Sequence, residues 1–84
     1  MQRQEIKDKL MEVIDEDLPN LDTQQVDSAA DLVEEYDVNS IQLIQLIVGV
    51  ENAFDVSFDD RELALSKYHS FDDLIDKIES KVNE

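Results

Sequence analysis

Between Asn39 and Phe58 the chain reads NSIQLIQLIVGVENAFDVSF, and its apolar residues fall in a helical rhythm. Leu43, Leu46, Ile47, Val50 and Phe54 form one stripe, at the spacing that lines up on a single face of an α-helix. Two other segments repeat the pattern. Ile6, Leu10, Val13 and Ile14 define an earlier helix, and Phe71, Leu74, Ile75, Ile78 and Val82 define a later one. One glycine and one proline are too few for a β-rich fold built on tight turns. The first helix is expected to stop near Asp17, because Pro19 disfavours helical backbone at the residue before it.

Capping residues support these boundaries. Asn39 stands where its side chain accepts from the backbone of Gln42 while Gln42 reaches back, the spacing of a capping box. Ser70 and Asp73 repeat it in weaker form, and Asp59 with Glu62 predicts a short helix from about Asp60 to Ala64. The mostly polar segment from Leu18 to Asn39 carries Leu21, Val26, Leu32 and Val33, which are expected to pin it across the bundle. The expected fold is all-α: a small bundle of three longer helices and one short one, with a long loop between the first two. Residues 1–84 are expected to form a single domain, only marginally stable for its size.

Charge narrows the function classes. The 22 acidic side chains against 7 basic ones leave a formal net charge of −15. Phosphate backbones and anionic membranes would be repelled, while basic proteins would be drawn in. From Leu10 to Asp60 there is no Lys or Arg. Self-repulsion predicts that added salt stabilises the chain. No apolar run is long enough to span a bilayer, no signal peptide is visible, and a cytoplasmic monomer is expected.

The second helix holds more apolar residues than one stripe needs. Ile41, Ile44 and Val48 fall on a face rotated from the core stripe. Either the helix is buried nearly all round, or these residues form an exposed ridge for a partner. Gly49 interrupts the helix at a cost of about 1 kcal/mol relative to Ala. Close approach of another element, or room for a guest in the core, would explain it.

Ser40 opens this helix. A serine in that place is ordinarily a cap, but Asn39 already fills that role. A hydrolytic serine needs a base and oxyanion donors, and the one histidine, His69, falls in a loop far along the chain. With no cysteine there is no disulfide and no Cys-based metal site. Asp55, Ser57 and Asp59 hint at a calcium loop, but Asp60 and Ser66 stand where that loop needs Gly and Glu. No metal is expected. Tyr36 and Tyr68 read as partly buried packing residues.

These residues together resemble the acyl carrier protein family. Its Asp-Ser-Leu motif at the start of the second helix corresponds to Asn39-Ser40-Ile41, and its Glu-x-x-Phe-like ending to Glu51-Asn52-Ala53-Phe54. Leu32-Val33-Glu34-Glu35 resembles the family's Phe-Val-Glu-Asp, and SFDDLIDKIESKV its last helix. The resemblance implies a carrier, not an enzyme. Ser40, flanked by Asn39 and Ile41, would receive 4′-phosphopantetheine from coenzyme A through a separate phosphopantetheinyl transferase. An acyl or aminoacyl group would then ride on the arm as a thioester, passed between loading and transferring enzymes with basic docking patches. A helix start suits a phosphodiester, because free N–H groups and the helix dipole favour anions.

The chain departs from the family in three respects. Asn39 replaces the usual aspartate, which implies poorer service by ordinary transferases unless Asp37 supplies the carboxylate. Gln42, Gln45 and Asn52 are neutral where fatty-acid carriers are acidic, although Glu51 remains. Docking is then expected to lean on Ile41, Ile44 and Val48, with charge from Asp37, Asp59, Asp60 and Glu62. The segment DDRELALSKYHSF is slightly longer than its counterpart. These differences favour a specialised carrier, a standalone peptidyl type included, over a housekeeping fatty-acid carrier. The competing reading is an acidic helical adaptor without a prosthetic group, which would not need Ser40.

Overall fold

The computed structural model describes residues 1–83, which fold as helices with no strand. Four α-helices follow in order: α1 (Arg3–Asp17), α2 (Leu32–Tyr36), α3 (Ser40–Phe54) and α4 (Phe71–Val82). Two 3-10 turns, Asp60–Leu63 and Leu65–Lys67, lie between α3 and α4.

The three apolar stripes meet in one core. Ile6, Leu10, Val13 and Ile14 of α1 are buried, and α1 packs against both α3 and α4. From α3 come Leu43, Leu46, Ile47, Val50 and Phe54; from α4 come Phe71, Leu74, Ile75 and Ile78. Val82 packs at the edge of this core. Burying a Leu or Ile side chain contributes about 1.5–3 kcal/mol each, so α3 is held mainly by this face.

The short helix expected after Asp59 forms as a 3-10 helix, with the Asp59–Glu62 capping box in place, and a further short α-helix lies elsewhere. The segment predicted as a helix from Asp60 to Ala64 forms a 3-10 turn of four residues, ended by Ala64 in extended conformation. So few residues close i→i+3 bonds more readily than a full α-helical turn. The unexpected short helix is α2, inside the segment read as a long loop. Asp31 starts it by accepting from the N–H groups of Val33 and Glu34 at 2.8 and 2.9 Å. Five residues are too few to show periodicity, which hid this helix from a reading of apolar spacing.

Leu32 anchors α2 in the core and is fully buried, while Val33 points outward at 49% exposure and does not pin the segment as expected. Leu21 and Val26 pack partly against the core. The loop is also tied through its backbone. Leu32 N–H donates to the His69 carbonyl, and Asp72 N–H donates to the Ser28 carbonyl, both at 2.9 Å. The Tyr36 hydroxyl accepts from Asp27 N–H at 2.6 Å, and its ring lies 5.8 Å from that of Phe71. Tyr36 is half-buried; Tyr68 is buried, with its hydroxyl donating to the Glu62 carbonyl at 2.7 Å. Burial pushes the Tyr68 phenol up to about 12.

Candidate functional site

Ser40 is the first residue of α3 and is exposed. The chain reaches it through Asp37, which closes α2 in the left-handed conformation at φ 54°, and through the buried Val38. A short polar side chain tolerates this backbone better than most, which suits an aspartate to the turn. Val38 fixes the turn from below, and Ser40 is left facing outward.

The capping box forms as the sequence predicts. The Asn39 side chain accepts from Gln42 N–H at 2.8 Å, and the Gln42 side chain accepts from Asn39 N–H at 3.0 Å. The backbone N–H groups of Ser40 and Ile41 have no hydrogen-bond partner among the described residues. Two free donors at the positive end of a 15-residue helix therefore flank the Ser40 hydroxyl. That donor set fits a phosphodiester on the serine oxygen.

No base serves the hydroxyl. The His69 side chain is engaged elsewhere, with Nδ1 3.1 Å from Oδ2 of Asp31. The Asp31 carboxyl lies below its usual range, chiefly because it accepts the Glu34 backbone N–H, and its role is to cap α2. The site can therefore be acted upon by another protein's chemistry, but it holds no internal acid–base pair.

The ridge is exposed. Ile41, Ile44 and Val48 show 67%, 41% and 49% of their surface, on the side of α3 away from its buried stripe. The near-complete burial considered from sequence does not occur. Gly49 owes its place to α1: a Cβ there would come within 2.8 Å of Val13 Cγ1 and collide with the Asp17 carboxylate. Close approach, not space for a guest, is the reason.

The acidic residues sort into two groups. Asp37, Asp59 and Asp60 are exposed. Glu51 and Glu62 are half-buried and occupied internally. Glu51 accepts from Phe58 N–H at 2.9 Å and so folds the loop after α3 back onto that helix. Glu62 accepts from Asp59 N–H at 2.8 Å and pairs with Lys81 at 3.1 Å and Lys77 at 3.3 Å. These contacts hold its carboxyl down at about 2, with the Asp59 N–H the largest cause. Sequence reasoning missed this cluster, because Lys77 and Lys81 lie 15 and 19 residues from Glu62 and no local spacing announces the contact. Ser70, expected to pair with Asp73, accepts weakly from Asp73 N–H at 3.4 Å, while Asp73 reaches one residue further back to His69 N–H at 2.8 Å.

An open groove of about 370 Å³ adjoins the start of α3, walled by Leu18, Leu21 and Val38 and edged by Asp17, Asp37 and Gln42. Among the described residues no cluster could hold a metal ion, and no helix is long and apolar enough to cross a membrane.

Comparison with known proteins bears on this arrangement. The family described as "Phosphopantetheine attachment site" matches residues 6–78. A protein named acyl carrier protein from Desulforapulum autotrophicum is 32% identical over 76 residues, covering 90% of this chain and 96% of that protein. Another of that name, from Thermotoga maritima, is 32% identical over 80 residues, covering 95% of each.

Proposed function

This chain belongs to the acyl carrier protein family, and on that premise we propose that Ser40 bears its 4′-phosphopantetheine. Membership makes the chain a carrier with a covalent prosthetic group, not an enzyme, and makes a phosphopantetheinyl transferase and acyl-handling enzymes its partners. The observation that carries the assignment to Ser40 is the exposed hydroxyl between two unpartnered N–H groups, at a helix start whose cap is supplied by Asn39. When bound, the arm supplies the thiol that this cysteine-free chain lacks. The chain's own residues do the rest. Asn39 and Gln42 hold the helix start through the capping box, and the free Ser40 and Ile41 N–H groups would be available to the phosphate. Tethering raises the local concentration of the cargo at each partner enzyme.

The partner-docking surface we assign comprises Ile41, Ile44 and Val48, with Asp37, Asp59 and Asp60 supplying charge. Glu51 and Glu62 contribute by shaping the loop that presents Asp59 and Asp60. A specialised cytoplasmic acyl or aminoacyl pathway is favoured by the neutral Gln42, Gln45 and Asn52 and by Asn39 before the serine. The filled core and the polar rim of the groove near Ser40 favour a short or polar cargo, kept outside the bundle. On that reading a long-acyl form melts at the same temperature as the free-thiol form; a higher melting temperature would show the chain sheltered inside.

Intact mass after incubation with coenzyme A and a broad-specificity phosphopantetheinyl transferase tests the site. Wild type is expected to gain one phosphopantetheine and Ser40→Ala none. A gain in Ser40→Ala would move the attachment to another hydroxyl. No gain in wild type with several transferases would favour the adaptor reading.

A further inference from the structure

From Ser40 to Val50, α3 carries no charged residue, although it presents the exposed ridge. Carboxylates from a different helix lie beside Ile44 and Val48 of that ridge. The last turn of α1 reads Asp15-Glu16-Asp17 and contains no basic residue. Three carboxylates at the negative end of a helix dipole disfavour each other and the helix. Asp15 is relieved by the Thr23 hydroxyl, which donates to it at 2.9 Å. Glu16 and Asp17 have no hydrogen-bond or ion-pair partner among the described residues, and Asp17 is half-buried.

Gly49 explains where Asp17 goes. Any side chain at that position would run into the Asp17 carboxylate, so the missing Cβ leaves a place for it on the surface of α3. There Glu16 and Asp17 join Ile44, Gln45 and Val48 around an open groove of about 470 Å³. An acidic edge is thus supplied across the helix pair to a face whose own sequence lacks one.

We infer that the α1–α3 groove is a docking surface for a partner enzyme that sets an apolar pocket over Ile44 and Val48 and a lysine or arginine against Glu16 and Asp17. Charge complementarity fixes the partner's sign, since the chain has no Lys or Arg between Leu10 and Asp60 to neutralise these acids. A partner cation would relieve the unfavourable charge of Glu16 and Asp17, for which no cation among the described residues forms an ion pair. The inference rests on the reading of Ser40 as the modified residue and adds to it which acids orient the partner.

Transfer from coenzyme A by a phosphopantetheinyl transferase with a basic docking face provides the test, with KM and kcat measured at low and high salt. Glu16→Gln with Asp17→Asn is expected to raise KM about three- to tenfold at low salt, with kcat unchanged and the difference closing at high salt. Glu5→Gln with Asp8→Asn removes the same charge from the far end of α1 and is expected to change KM less than about twofold. The Glu16/Asp17 variant should also melt at or above the wild-type temperature, which separates lost docking from lost folding. Equal KM and equal salt dependence in that variant, with Ile44→Ala still raising KM, would overturn the role of α1 and leave Ser40 as the modified residue. If no transferase modifies the wild type at all, the Ser40 reading fails and this inference falls with it.

Discussion

Around α4 the chain neutralises its own acids, whereas around the first half of α3 it leaves them unpaired. Among the described residues, every ion pair made by a Lys or Arg has a partner on α4. Arg3 reaches Asp76 at 2.6 Å, Glu79 at 3.4 Å and Asp72 at 3.8 Å, and Lys77 and Lys81 grip Glu62. Lys81 also lies 4.7 Å over the Phe58 ring. The ridge of Ile41, Ile44 and Val48 has neighbours of the opposite kind: exposed Asp37 and Glu16, half-buried Asp17, and no cation. Of the few basic residues, Arg3, Lys77 and Lys81 are placed where they tie other segments to α4. The contrast teaches that the acidity of this chain is not spread evenly; one side serves stability and the other is left open to outside partners.

The largest expected difference lies within α3 itself. Leu46→Ala should cost about 2–5 kcal/mol in denaturant unfolding, because Leu46 is fully buried. Ile44→Ala should stay within about 0.5 kcal/mol, since Ile44 is exposed. Similar losses for both would mean the ridge packs inside the molecule, and the comparison would break.

Glu62→Gln tests the closed side. It should cost about 1–2 kcal/mol at neutral pH, through weakened charge-assisted bonds to Asp59 N–H, Lys77 and Lys81. The sign of its pH dependence follows from the carboxyl being lowered in the fold, from 4.5 to about 2. The contribution is complete above the unfolded value and is lost as pH falls through that interval. The gap between wild type and Glu62→Gln should therefore narrow between pH 4.5 and about 2. A constant gap across that range would show that Glu62 acts by shape alone.

Asn39→Ala should cost about 1 kcal/mol by removing the cap of α3, whereas Ser40→Ala should leave thermal stability unchanged. This pair separates the residue that caps the helix from the one proposed to carry the arm. The smallest effect is expected at Asp55, which ends α3 with φ 55°. Asp55→Gly should gain less than about 1 kcal/mol, because glycine enters the left-handed region without steric cost.

How much was legible can be followed along the chain. The buried faces of α1, α3 and α4 and the Asn39–Gln42 box come from spacings of three and four residues, and the end of α1 at Asp17 from the nearby Pro19, all of which are local. Ser40 stood out for the same reason, being next to a residue that already capped its helix. The helix α2 escaped notice because one buried leucine and one aspartate cap leave no period to detect. Glu51 and Glu62 read as docking acids, with Glu62 also paired to Asp59 by local spacing, yet Phe58 N–H and the two lysines of α4 become their neighbours only when the chain folds back. Asp17 likewise meets Gly49 only through the packing of α1 on α3.

Local pattern in the chain is enough to define the three longer helices, their buried faces and the serine that opens α3, because periodicity and capping act over one or two turns. Only the tertiary structure decided which acids are used internally and which remain available. That choice depends on where the few cations fall after packing, and Coulomb interactions act through space without regard to separation along the chain.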